Sequence, residues 1–489
     1  MRGIVAAGHP LTAEAGADAL RAGGNAVDAA LAAMMASFAT EPLLTGLGAG
    51  GYMLVAPPGE RAELLDFMVE SPGRGAPGGR RAELVPVDVS FGEAVQVFNA
   101  GAASCGPYGC PSGICVAHER FATLPLAELV APAARLARDG VEINPEQAFI
   151  FELLEGIVAL TEESRALYWI DGRAPRAGDV LCDPDLADAL ERLAAEGDEP
   201  FYRGDIAAAV CARVEERGGL LTSEDLSAYE TIARRPVRIE YRGHEVLTNP
   251  PPSAGGILIA SVLARLGEEP GPPTMTALID AMEHAQGART HEFLEGLHRE
   301  NFMEDFLAVR LGNTTHISVM DAEGWACSVT ATNGACSGIV VPGTGIHVNN
   351  MMGEADLNPL GFFKHPPGRR LPSMMAPTVV RRNGRPELVL GSAGSARIRS
   401  AITQVVLNVI DHGMDAEAAV VAPRVHWEDG LVYAEPGLDL SELEQAGRPL
   451  SRFGRLNVFF GGCQAVQTDG HVLTGAADPR RGGAAVAVE

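Results

Sequence analysis

Gly312-Asn313-Thr314-Thr315-His316-Ile317-Ser318-Val319 opens a run of polar, small and β-branched residues. The run turns at Asp321-Ala322-Glu323-Gly324 and returns as Trp325 to Thr332. Alternating residues of this kind around a Gly-containing turn predict a β-hairpin. A two-residue loop at Ala322-Glu323 pairs Asp321 with Gly324. That register sets Ala331 opposite Thr314 and Thr332 opposite Asn313, bringing the Thr332 hydroxyl near that of Thr314. Threonine is a good strand former, so the residues alone favour plain sheet over a nucleophile with its neighbours.

Outward from the hairpin, the 489 residues allow one large α/β unit or about three domains of ordinary size. With 46% hydrophobic and 21% charged residues, the chain can bury a full core. Acidic residues number 63 and basic ones 38, a formal net charge of −25. So negative a surface repels phosphate backbones and anionic lipid, so neither nucleic acid nor a membrane is expected as partner. Lys364 is the only lysine, in Phe362-Phe363-Lys364-His365-Pro366, which fits neither a P-loop nor a pyridoxal Schiff base. Residues 1–12 lack an export signal, and the longest apolar stretch, Ala29 to Ala39, falls short of the roughly 20 residues that span a bilayer. A cytoplasmic location follows as an expectation, with the 8 cysteines mostly free thiols. Cys105, Cys110 and Cys115 recur every fifth residue, which is not zinc-ligand spacing, so no metal and no cofactor are expected.

Thr12 and Asn25 predict the N-caps of two helices, the first ending at Gly23-Gly24 and the second near Phe38. Gly46-Leu47-Gly48-Ala49-Gly50-Gly51 fits a dinucleotide pattern, but a helix precedes it and a strand, Tyr52 to Val55, follows. A nucleotide turn runs from strand to helix, so these glycines are assigned to tight backbone packing. Residues 116–139 and 185–217 read as helical, Thr222 as a capping residue, and 238–247 and 374–390 as hairpins turning at Arg242-Gly243 and Arg382-Asn383-Gly384. His284, His291 and His298 lie on one face of a helix, about 10 Å apart along its axis, too far to share an ion. Helices and hairpins in alternating clusters favour layered sheets covered by helices over a regular βαβ repeat.

Over nearly its whole length the chain resembles the γ-glutamyltranspeptidase family of the N-terminal-nucleophile hydrolases. The resemblance runs from Gly23-Gly24-Asn25-Ala26-Val27-Asp28 through Phe201-Tyr202-Arg203-Gly204, Tyr241-Arg242-Gly243 and Pro250 to Gly256. It reaches the nucleophile motif at Thr314-Thr315-His316 and continues through Asn349-Asn350, Gly391-Ser392, Ala422-Pro423-Arg424 and Asp478-Pro479-Arg480. The resemblance implies a four-layer αββα sandwich. It also implies a precursor that cuts itself between Asn313 and Thr314, leaving a large subunit of residues 1–313 and a small one of 314–489 in one domain. Thr314 would be the nucleophile, Thr332 its hydrogen-bonding threonine, and the backbone N–H groups of Gly394 and Ser395 would hold the oxyanion.

The family's substrate pocket is altered. Its arginine clamp for the glutamyl α-carboxylate falls on Met68, within Asp66-Phe67-Met68-Val69-Glu70-Ser71-Pro72. Asn349-Asn350 runs on into Met351-Met352-Gly353-Glu354, where only Glu354 keeps a carboxylate. The paired serines become Pro372-Ser373, and the asparagine after the second threonine becomes Gly334 beside Asn333. A thioether does not replace a bidentate guanidinium. The leading expectation is therefore acyl transfer, mainly hydrolysis, on a small non-glutamyl substrate lying near Met68, Met351, Glu354, Ser373 and Asn333. Another arginine, Arg369, Arg370 or Arg399, taking over the clamp is the opposing reading. The alternatives are a C–C bond hydrolase of alkylproline-type antibiotic biosynthesis, a cytosolic γ-glutamyl hydrolase acting on glutathione, and an uncut non-catalytic scaffold. The sequence leaves open whether the subunit pair forms a homo-oligomer.

Overall fold

Along the strand Thr315–Asp321, Ile317 and Val319 join a core shared with helices, whereas His316, Ser318 and Met320 turn to the other face. The computed structural model describes residues 1–76, 82–90, 95–287, 315–355, 357–394 and 397–489, and both faces of this strand are buried in it. A strand buried on both sides needs a layer on each. Here one is helical and the other is a second sheet.

The strand is central in a 7-stranded antiparallel sheet. Its order is Ala484–Val488, Gly3–Ala7, Thr315–Asp321, Ala326–Thr332, Gly50–Ala56, Glu63–Phe67, Ile232–Arg234. The facing 6-stranded sheet runs Leu473–Ala477, Gly462–Thr468, Arg385–Ala393, Thr378–Arg382, His244–Thr248, Val237–Tyr241. Helices Pro10–Arg21, Ala26–Thr40 and Cys110–Phe121 cover the first sheet, and Leu126–Asp139 packs on Ala26–Thr40. Gly255–Gly267, Arg397–Ile410 and Ala416–Val421 cover the second, and Met275–Gly287 packs on Gly255–Gly267. The four-layer αββα sandwich is thus present. Among the described residues, no helix is long and apolar enough to cross a membrane.

Local chemistry accounts for most elements. Asn25 caps Ala26–Thr40 in a reciprocal box with Asp28, and every residue of that alanine-rich helix is buried. Thr222 caps Ser223–Ser227 with Asp225 in the same way. The two hairpins turn at Arg242-Gly243 and Asn383-Gly384, with φ of 48° and 77° at the first and 52° and 78° at the second. The first helix is capped by His9 rather than Thr12, because Thr12 is buried against Thr40, with hydroxyl oxygens 2.6 Å apart. The 116–139 stretch is two helices parted at Ala122–Pro125. Gly48 and Gly51 pack as expected: a Cβ on them would lie 2.2 Å from the His347 carbonyl oxygen and 2.3 Å from that of Thr330. Cys105 and Cys110 are buried in the core, and Cys115 is half-buried beside it. His291 and His298 lie outside the described residues; His284 is on Met275–Gly287.

The hairpin register differs by one residue from the sequence reading. Thr315 pairs with Ala331 and Met320 with Ala326, and the Asp321 N–H donates to the Trp325 carbonyl. The loop is three residues, Ala322-Glu323-Gly324. The Asp321 carboxylate accepts from the N–H groups of Glu323 and Trp325 at 3.0 Å each, and this favours the longer turn.

Between the sheets one polar cluster is centred on His316. His316 Nδ1 lies 2.7 Å from Thr330 Oγ1 and Nε2 lies 2.9 Å from Ser318 Oγ. Ser318 gives its only proton to the Gln464 carbonyl of the facing sheet, so it accepts from the ring. The ring therefore carries its hydrogen on Nε2, and Nδ1 accepts from Thr330. Ser328, 3.4 Å from Nε2, donates to the Leu390 carbonyl and accepts from the Thr378 N–H, both in the second sheet. Burial holds the imidazole neutral, with a pKa lowered to about 3.

Thr330→Val keeps the shape and removes the donor to His316 Nδ1. Leaving that nitrogen unpaired in the core costs about 1–3 kcal/mol. Urea unfolding should show a lower midpoint at unchanged slope; an unchanged midpoint would mean that the ring does not tie the sheets.

Candidate active site

Thr332 ends the strand Ala326–Thr332, opposite Gly50. Its Oγ1 accepts from the Gly334 N–H at 2.8 Å, and this bond starts the tight turn that follows. Gly334 has φ of 68°, and a Cβ there would lie 2.1 Å from Asn350 Oδ1 and 2.6 Å from Glu354 Oε1. The space an asparagine side chain would need is thus occupied by these two groups. Asn333 is fully buried: its N–H donates to the Leu44 carbonyl, and its Nδ2 to that of His347 at 3.2 Å.

On the other side of Gly50 lies Met68. A Cβ on Gly50 would approach the Val69 nitrogen at 2.7 Å and the Met68 carbonyl carbon at 3.1 Å. Met68, Met351, Met352, Leu371 and Met375 belong to one buried apolar cluster between the sheets. The peptide around Met68 is pinned by polar groups. Its N–H donates to Asp66 Oδ1 at 3.0 Å, and its carbonyl accepts from the Tyr229 hydroxyl at 2.9 Å and from Arg370. Arg370 also donates to the Glu230 carbonyl and lies 4.4 Å over the Tyr229 ring. Its Nε is 3.7 Å from Glu70 and 3.9 Å from Asp66, whose other oxygen accepts from Arg234 at 2.6 Å. Glu70 also pairs with Arg74 at 2.7 Å. Arg370 is therefore next to Met68 but committed to the scaffold behind it. Arg399 donates to the Trp427 carbonyl at 3.3 Å from a helix outside the second sheet.

Ser373 is also committed. Its Oγ accepts from the Met375 N–H at 3.0 Å, and its carbonyl accepts from the Ser253 hydroxyl at 2.8 Å. Gly394 follows the strand Arg385–Ala393 with φ of 121°, and a Cβ on it would sit 2.5 Å from Gly461 Cα. Three residues before it, a Cβ on Gly391 would strike the His316 ring at 2.3 Å. Thr332, Asn333, Met68, Met351 and Glu354 are thus gathered around Gly50 and Gly334. Asn313, Thr314 and Ser395 lie outside the described residues.

At the start of the nucleophile-motif strand, sequence reasoning missed Glu41 and Arg481. Thr315 Oγ1 donates to Glu41 Oε2 at 3.0 Å. Glu41 follows the buried helix Ala26–Thr40 and is itself buried. Burial raises its carboxyl to about 7, with the Thr315 hydroxyl and the Arg481 charge opposing that rise in part. No short motif contains Glu41 and Arg481, since tertiary folding alone brings Glu41 to Thr315 and Arg481 to the same cavity as Glu41. The only signal was a carboxylate ending an otherwise apolar helix.

Compared with known proteins, the profile described as Gamma-glutamyltranspeptidase matches residues 12–308 and 297–488. The chain is 30% identical over 543 residues to the glutathione hydrolase proenzyme of Escherichia coli K12, covering 98% of this chain and 90% of that one. It is 31% identical over 533 residues to the acylase ACY 1 proenzyme of Pseudomonas sp. strain SE83, covering 100% of this chain and 94% of that one. The solved structure of cephalosporin acylase from Bacillus halodurans is similar with a TM-score of 0.85 at 28% identity, over 100% of this chain and 96% of that one.

Glu41 gives this site a pH signature. An unfolded glutamate ionises near 4.5, the folded one near 7. Between those values folding takes up a proton, so Glu41 makes stability fall as pH rises through the window. Glu41→Gln should gain in Tm on wild type between about pH 5 and pH 8, the gain growing with pH. Parallel Tm profiles for the two proteins would remove Glu41 as the titrating group.

Proposed function

The chain belongs to the gamma-glutamyltranspeptidase family, and from that membership we propose that it is a self-processing threonine hydrolase acting on a small non-glutamyl acyl compound. In maturation the Thr314 hydroxyl attacks the Asn313 carbonyl carbon. The Asn313–Thr314 C–N bond breaks, Asn313 becomes an ester on Thr314 Oγ, and the freed nitrogen takes a proton. Water then cleaves the ester, leaving a carboxylate on residues 1–313 and a free α-amine on 314–489. That amine, with an ordinary pKa near 8, can accept the hydroxyl proton when Thr314 attacks substrate. One residue then supplies nucleophile and base, and the acyl group passes from Thr314 to water or to an acceptor amine.

Thr332 is assigned to orient Thr314. It is the next residue after Ala331, the partner of Thr315, and its hydroxyl already accepts one hydrogen bond. The backbone N–H groups of Gly394 and Ser395 are assigned to the oxyanion. Support for Gly394 is its left-handed backbone at a strand end, two residues past Ser392 and against Gly461.

One observation carries the substrate reading: the residue in the clamp position, Met68, is buried among thioethers and aliphatic side chains, while Arg370 beside it is bound to Asp66, Glu70 and two main-chain carbonyls. An α-carboxylate brought there would lose water and gain no bidentate partner. Of the two kinds of relative, glutathione hydrolase and acylase, the pocket therefore favours the acylase kind.

Denaturing gels with N-terminal sequencing test maturation. Purified protein should give two fragments, the smaller beginning at Thr314, and Thr314→Ala should remain one inactive chain. A fully active single chain would overturn the mechanism.

Specificity is tested with a γ-glutamyl anilide. Wild type should turn it over poorly, and a Met68→Arg variant that still matures should improve on it. A wild-type kcat/KM of about 10⁴ M⁻¹s⁻¹ or above would overturn the non-glutamyl assignment.

A further inference from the structure

Beside Thr315, Glu41 and Arg481 line a cavity of about 280 Å³. Its wall also includes Gln147, Phe149, Ile150 and Leu456, together with the charged Glu146, Arg455 and Arg480. Phe149 and Leu456 are 42% and 40% exposed, among the few large apolar side chains in the described structure left so open to solvent. Most arginines near this end of the molecule are consumed. Arg480 is bound to Glu435 and Asp478, and Arg424 to Asp478. Exposed Arg455 and half-buried Arg481, both on the cavity wall, have no ion-pair partner within 4.0 Å among the described residues. The Nε of Arg481, like that of Arg424, is buried without an acceptor, and no described carboxylate pairs with the Arg481 guanidinium. Glu41 and Asp478 attract its charge from a distance, and Arg397 repels it. Buried Gln147 likewise has an amide oxygen without a donor.

Two chains of contact join this cavity to the reacting groups. Through Glu41 it meets Thr315, the residue after the nucleophile assigned above. Through Arg481 it meets the oxyanion side: a Cβ on Gly462 would touch the Arg481 side chain at 2.4 Å, and the preceding Gly461 lies against Gly394. A buried N–H donor of a charged fork, left without an acceptor in a cavity whose wall also carries Phe149, Ile150 and Leu456, is an arrangement that a carboxylate on an apolar body would complete.

We propose that this cavity is the specificity subsite of the enzyme, and that Arg481 there binds a free carboxylate carried by the apolar substrate. This rests on the acyl-transfer reading above and names its substrate class: an amide of amphipathic character, with the carboxylate on either the acyl chain or the departing amine. Phe149, Ile150 and Leu456 cover the apolar part, and Gln147 Oε1 accepts from the amide N–H or another donor of the same molecule. Arg481 thus supplies by a different wall the anion recognition that Met68 cannot.

Binding measured by calorimetry on the purified mature protein, with the probes recovered and checked to be uncleaved over the titration, tests this by a readout other than activity. One probe pair is adipic acid monoamide against hexanamide, which places the carboxylate on the acyl side. The other is N-hexanoylglycine against N-hexanoylethylamine, which places it on the amine side. In wild type, one pair should show at least about a tenfold preference for the carboxylate, the gain of one charge-assisted contact. The pair that shows it identifies the side. In Arg481→Met the preference should fall below about twofold, and Arg481→Lys should retain part of it. Should Arg481→Met fail to mature, Arg481→Gln serves with the same expectation. No carboxylate preference in either pair, or a preference that survives in the Met and Gln variants, overturns the proposal. The catalytic reading fails separately: a protein that keeps the preference yet stays one chain would refute self-processing and leave the subsite standing.

Discussion

The His316 ring is the fixed point between the two sheets. It is buried away from water, so it must find all its partners inside the protein. It does so through three hydroxyls of its own sheet, two of which reach main-chain carbonyls of the facing sheet. Hydrophobic contact alone would let two such sheets slide by a residue with little loss, since aliphatic surfaces are not directional. Hydrogen bonds with fixed donors and acceptors do not allow it. The ring also demands a glycine opposite, Gly391, so the approach of the sheets and their register are set together. Both lie close in sequence to groups assigned to chemistry, since His316 is two residues from Thr314 and Gly391 three from Gly394.

Elements with a local chemical signature were legible in the sequence. Asn25 with Asp28 and Thr222 with Asp225 announce helix starts through hydrogen bonds made within one turn. Arg242-Gly243 and Asn383-Gly384 announce hairpins because the left-handed backbone there admits few residues. The layered architecture followed from the clustering of elements and from the resemblance. What failed locally did so because a distant partner intervened. Thr12 was claimed by Thr40, and the Asp321 carboxylate drew in two N–H groups and lengthened a turn by one residue. For the site, Met68 could be read as a departure, but not the fate of the surrounding charges. Arg234 and Arg370 converge on Asp66 from segments more than 160 residues away, as their contacts show. Glu41 and Arg481 were invisible for the same reason.

The wall behind Met68 combines two kinds of material. Its frame is ionic: Arg370 and its carboxylates clamp the stretch from Met68 to Ser71 onto the stretch from Arg369 to Leu371, which main-chain hydrogen bonds also join. Its face is thioether, a group that adapts its shape at low cost. Breaking a buried charge network by removing one member is far more costly than exchanging an apolar side chain of similar volume. Such a wall can change what it contacts while the backbone beneath it stays in place. The charge that a ligand meets is then set by groups outside this wall.

The strand order of the first sheet has a consequence for the order of events in the life of the chain. Gly3–Ala7 is held between Ala484–Val488 and Thr315–Asp321, while Ala326–Thr332 is paired with Gly50–Ala56. Residues before and after the proposed cut therefore interleave, and the same sheet crosses between them three times. While the chain is continuous, those pairings close loops within one molecule and do not depend on concentration. Two separate fragments would have to find each other with their strand edges bare, a state prone to pairing with the wrong neighbour. Scission is thus compatible with this topology only as a late act on a finished structure. After the proposed cut the ladder, rather than the peptide bond, would make the two pieces one object.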